Sequence, residues 1–176
     1  MYKVAVFLCI LCSLVYYHEP KYLASSIEIS KEHRQKLLNS ALNELVKTEG
    51  FEPTRYKCPA GFITIGHGHV ILPVDTFMSI TRSQAYSLLK RDFMLKYKSM
   101  RKYSYLGEPT VIALSLCAYN VGETRLRRIL GPKPNKHKVH KTLQRLIYYR
   151  DKRGIVTSDG LIKRRKRELV MLWLGM

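Results

Sequence analysis

The densest chemistry in this chain lies between residues 49 and 69, where Glu49, Cys58 and Thr64 stand with eight residues between the first two and five between the last two. A carboxyl at a partly dry junction keeps its proton near neutral pH and can act as a general acid. Cys58 and Thr64, on or beside a hairpin, would face Glu49 from an opposite wall. A glutamate at the end of a helix can equally point into water, and residue type alone leaves both readings open. His67 and His69 lie two apart with no third ligand, so no metal site is expected.

Positioning these groups requires a helix before them and a turn-rich segment after. Leu37, Leu38, Ala41, Leu42 and Leu45 recur at helical spacing, which predicts a helix over 30–47, with Ser30 as N-cap and Gly50 as stop. Pro53, Pro59, Gly61, Gly66 and Gly68 forbid a long helix there, and Phe62 to Ile65 has strand composition, so a short hairpin is expected.

Thr81 and Gln84 have capping-box spacing ahead of a helix carrying Tyr86, Leu88, Leu89, Phe93 and Tyr97. Residues 111–119 are apolar nearly all round, the pattern of a helix buried at the centre of a domain. After a break at Gly131 to Asn135, the pattern predicts helices over 139–149 and 163–174. The expected class is α+β, a small β-hairpin lobe followed by a larger helical lobe.

The chain has 176 residues, enough for one domain with two lobes. Its 31 Lys/Arg against 13 Asp/Glu give a net charge of +18, suited to polyanions such as nucleic acid, anionic lipid or cell-wall polymer. Four cysteines exclude a disulfide-dense scaffold, and Cys9 and Cys12 sit inside an apolar stretch rather than at the start of a βαβ helix. That stretch, 4–17, follows Lys3 and is short for a membrane span, so 1–24 is expected to be a signal peptide or signal anchor. The mature lobes would then be 25–80, with the catalytic helix and hairpin, and 81–176.

The 49–69 segment resembles the signature of the phage-type lysozymes, glycoside hydrolase family 24. Its catalytic glutamate is followed at these spacings by aspartate or cysteine and then threonine. Residues 81–92 resemble the family's inter-lobe helix, and 111–122 its buried central helix and following turn. Gly160-Leu161-Ile162-Lys163-Arg164-Arg165 with Glu168 resembles its C-terminal motif. The resemblance covers roughly residues 35–175 and implies a lysozyme-like fold around a substrate cleft.

It also implies roles. Glu49 would protonate the leaving glycosidic oxygen, and Thr64 would orient water or stabilise the intermediate. Cys58 replaces the carboxylate of aspartate-bearing relatives, which leaves inverting or retaining stereochemistry open. Lys57 and Arg55 are the cations near enough in sequence to favour a thiolate there. Asn120, Gly122, Arg164 and Arg165 are expected substrate contacts, with helix capping the competing role for Asn120. His69 becomes a structural hydrogen-bonding residue.

The function implied is a peptidoglycan muramidase for host cell lysis, exported to the periplasm or beyond, acting as a monomer without cofactor or metal. Residues 121–176 carry sixteen Lys/Arg and four Asp/Glu, a net +12 that would hold the enzyme on anionic wall. Transient membrane association is expected through the N-terminus. The rival reading is a cationic protein that binds wall or disrupts membranes without cutting, using basic Lys163 to Arg167 beside Leu169, Val170, Leu172 and Trp173. No groove-reading motif supports a nucleic-acid partner.

Overall fold

The computed structural model describes residues 31–58, 61–151 and 154–173. The expected export segment, the Ser30 cap, Pro59 and Leu174 lie outside them. Helix α1 spans Lys31–Glu49. Strands β1 (Glu52–Lys57), β2 (Ile63–Gly66) and β3 (His69–Val70) follow as a three-stranded antiparallel sheet in chain order. Then come α2 (Arg82–Met100), a 3-10 helix (Arg101–Leu106), α3 (Glu108–Val121), α4 (Glu123–Leu130) and α5 (Lys136–Arg145). A hairpin of β4 (Tyr148–Asp151) and β5 (Gly154–Thr157) leads into α6 (Asp159–Trp173).

The α+β class holds, and the capping box is formed. Gln84 donates its backbone N–H to the Thr81 hydroxyl at 3.2 Å, and its side chain accepts from the Thr81 N–H at 2.8 Å. Helix α3 has ten consecutive buried residues, Pro109 to Ala118, so α1, α2, α4 and α6 can pack around it. Its polar members cause no penalty there: Ser115 and Thr110 donate to the carbonyls of Val111 and Leu106, four residues back. Fully buried side chains such as Ile112, Leu114 and Leu126 each contribute about 1.5–3 kcal/mol.

Two of the expectations change. The helix expected over 139–149 ends at Arg145, and Tyr148 opens β4. Leu143 and Leu146 carry the helical pattern up to that point, but Tyr148 and Tyr149 pair with Thr157 and Val156 instead. Helix α1, expected in the smaller lobe, buries Leu37, Leu38, Ala41, Leu42 and Leu45 in the helical core. The smaller lobe is therefore the sheet and its loop to residue 80, around Ile65, Ile80 and Ala85.

Helix α2 joins the lobes, with Ala85 under the sheet and Leu89, Phe93 and Tyr97 in the helical core. The sheet sits so close to α2 that a Cβ on Gly66 would come within 2.9 Å of Ile80 Cδ1 and 3.0 Å of Ala85 Cβ. With φ at 66°, that position takes glycine on both steric and backbone grounds.

Candidate active site

Glu49 is the last residue of α1, where the chain leaves the helical core for the sheet. Its carboxylate is 17% exposed and accepts from both terminal nitrogens of Arg164 on α6, with Nη2 at 3.3 Å from Oε2 and Nη1 on Oε1. Arg164 Nη2 also donates to the Thr48 carbonyl at 3.2 Å, fixing the guanidinium plane against the end of α1. A second bridge, Arg167 to Glu44 at 2.8 Å, ties the same two helices one turn away. Forked donation of this kind sets orientation as well as charge. Sequence reasoning placed Arg164 against substrate and missed its hold on Glu49, a contact spanning 115 residues.

Thr64 lies on β2, paired with Tyr56 across the sheet and 3% exposed. Its hydroxyl lies 3.3 Å from the carbonyl oxygens of Tyr56 and of Phe62, so its hydrogen has acceptors within the hairpin and its oxygen keeps acceptor capacity. Cys58 follows β1, half-buried, in the turn closed by its N–H to Phe62 O at 2.9 Å and by Gly61 N–H to Cys58 O at 2.8 Å. Cys58 and Cys117 form no disulfide with each other. Arg55 donates to the carbonyls of Phe77 at 2.8 Å and Asp75 at 3.1 Å and so braces the loop beyond the sheet.

The junction is held by side chains around the histidines. His67 Nδ1 meets the Gly50 carbonyl, and the Tyr119 hydroxyl donates to the His67 carbonyl at 3.0 Å, linking α3 to the hairpin just after Glu49. Burial, and then the charges of Asp92 and Glu49, push the Tyr119 phenol far up, so it remains a neutral donor. His69 is a bridging residue, with Nδ1 2.6 Å from Asp92 on α2 and Nε2 3.1 Å from Asp75. The Leu72 backbone N–H and then the His69 bond hold the Asp75 carboxyl below the usual aspartate range. No group of three or more metal-ligating side chains occurs among the described residues.

Arg165 departs from its expected place on the substrate. It is 1% exposed, with Nη1 2.8 Å from Cys117 Sγ, and Nη2 2.8 Å from Asn120 Oδ1 and 2.9 Å from Glu168. Burial raises the Glu168 carboxyl to about 8 and pushes the Cys117 thiol well up. Asn120 is therefore neither a simple helix cap nor an unconstrained amide. Arg165 takes its carbonyl oxygen, which leaves the amide hydrogens to donate. Gly122, with φ at 86°, makes the turn from α3 to α4, and open space lies where its Cβ would be.

Comparisons with solved structures agree with the fold. The endolysin from Escherichia coli O157:H7 phage FAHEc1 superposes with a TM-score of 0.60 at 25% identity, over 84% of this chain and 94% of its own. The muramidase domain of SpmX from Asticaccaulis excentricus gives 0.62 at 18% identity, over 82% and 97%. The active form of P1 phage endolysin Lyz gives 0.56 at 20% identity, over 81% and 92%. The last two speak for the fold alone. Among curated proteins nothing matches. The sequence profile of the phage lysozymes matches residues 46–168, from the end of α1 through the buried Arg165–Glu168 pair, and on that match the chain belongs to the phage lysozyme family and is a glycoside hydrolase of the lysozyme type.

Proposed function

We propose that the enzyme cleaves the β-1,4 bond between N-acetylmuramic acid and N-acetylglucosamine in bacterial peptidoglycan, and that it acts as an exported lysis enzyme. The observation that carries this reading is Glu49, set at the junction of the lobes and gripped at both oxygens by Arg164. In its protonated form Glu49 gives up one of these contacts and delivers its proton to the leaving glycosidic oxygen, and the guanidinium then meets the negative charge that transfer leaves behind.

Thr64, its hydrogen turned to the hairpin carbonyls, accepts from the water to be positioned. Cys58 occupies the place of the second carboxylate and either activates that water or meets positive charge on the sugar ring. Asn120, its oxygen held by Arg165, offers N–H donors to the carbonyl of an N-acetyl group. The endolysin at 25% identity supports the lytic role. The net +12 over 121–176 supports an anionic wall substrate, and the apolar run 4–17 supports export.

The test is product chemistry. Purified peptidoglycan is digested, reduced with borohydride and analysed by mass spectrometry. Reduced N-acetylmuramic ends are expected. Reduced glucosamine ends, an anhydro sugar or an absence of product would overturn the proposal.

A further inference from the structure

The cations that the active site leaves unused collect around α5. From Thr124 to Arg150 the sequence has nine Lys/Arg and no Asp/Glu. A hollow of about 500 Å³ lies between the end of α4 and α5, and Lys133, His137, Lys138, Lys141 and Arg145 line it, with no acidic side chain and no residue of the active site. Some exposed arginines outside the hollow find carboxylates, as Arg127 does with Glu123, Arg167 with Glu44 and Arg91 with Asp92. Lys133, Lys138, Lys141 and Arg145 have no such partner among the described residues.

Helical spacing sharpens the crowding. Lys138 and Lys141 are three apart on α5, and Lys141 and Arg145 four apart, so like charges face one another and weaken the helix. An anion in the hollow relieves that repulsion. The helix end is not the receptor, because the Lys138 N–H is already taken by the Asn135 side chain at 2.8 Å. The side-chain cations are.

Charge density selects the ligand. Ammonium groups are compact point charges, and several of them converging on one hollow match clustered phosphates better than dispersed single carboxylates. A bilayer face would need a broad apolar rim; Ile129 is the one exposed large apolar side chain lining this hollow, and Val170 and Trp173 line a different one on α6. We propose that the α4–α5 hollow is a phosphate-binding site that holds a polyanion carrying clustered phosphate esters on the helical lobe, apart from the active site. This goes beyond the glycosidase reading and does not depend on it.

The test is calorimetric titration of the full chain with inorganic tripolyphosphate at roughly 0.15 M salt, where diffuse attraction is screened beyond about 8 Å. One site per chain is expected. It should weaken by about tenfold or more in Lys138→Ala/Lys141→Ala/Arg145→Ala, whose exposed positions accept alanine within a helix. Arg125→Ala/Arg128→Ala/Lys136→Ala removes equal charge from exposed positions outside the hollow and should leave the affinity near that of the parent. Equal losses in both variants, or equal affinity for poly-glutamate, would overturn the proposal. So would binding to phosphatidylglycerol vesicles with none to tripolyphosphate, which would make this face a membrane contact.

Discussion

Two successive arginines of α6 each hold a glutamate, Arg164 gripping Glu49 at the junction of the lobes and Arg165 gripping Glu168 inside the helical core. The first pair keeps 21% and 17% of its side-chain surface in water, the second 2% and 5%. One joins residues far apart in the chain; the other closes within a single helical turn. A pair with water at its edge can exchange part of its contact for a substrate oxygen.

A sealed pair cannot make that exchange, and it leaves Arg165 Nε and Glu168 Oε2 without partners. Desolvation then dominates, lifting the Glu168 carboxyl despite the adjacent guanidinium. Contact with an arginine thus leaves Glu49 at the edge of solvent in one place and seals Glu168 into the core in the other.

The largest stability effect should come from breaking the sealed pair. Arg165→Met deprives the buried Glu168 and Asn120 oxygens of their donor and should cost about 1–3 kcal/mol in urea unfolding, while Arg165→Met/Glu168→Leu should regain much of that loss. Equal instability of the two variants would break the contrast. Arg164→Gln should do the opposite, lowering the rate on peptidoglycan about tenfold while changing unfolding by less than about 1 kcal/mol.

Acidity separates the two pairs more finely. The folded state raises Glu168 above its unfolded value, so it retains a proton that the unfolded chain releases. That contribution to stability is full below the ordinary glutamate range and is lost as pH climbs through about 8. Urea midpoints should therefore fall toward alkaline pH, and the fall should be shallower in Glu168→Gln. At the small end, Arg127→Ala removes an exposed partner of Glu123, 47% and 28% open, and should cost only about 0.3–0.5 kcal/mol.

What the sequence made legible follows the range of the forces involved. Helices α1, α2 and α3 declared themselves because apolar periodicity and the Thr81–Gln84 box are local. The β4–β5 hairpin did not, because an apolar run after Leu146 suits a helix until a strand partner, Thr157 for Tyr148 and Val156 for Tyr149, competes for it. Glu49 and Thr64 emerged from the resemblance of one short segment to the phage-type lysozymes. Arg164's hold on Glu49 needed α6 packed against α1, which no local pattern specifies. The fate of Arg165 was partly readable: Arg165, Glu168 and Leu172 recur at helical spacing, and that stripe is the buried face of α6.

The central claim is that Glu49 in the open pair works on substrate rather than on stability. Its most direct test is Glu49→Gln, measured for peptidoglycan hydrolysis and urea unfolding on one preparation. The rate should fall by about 10²–10⁴-fold, with an unfolding midpoint close to that of the parent. A folded variant that keeps roughly half the parental rate, far above what loss of a general acid permits, would remove Glu49 from the mechanism.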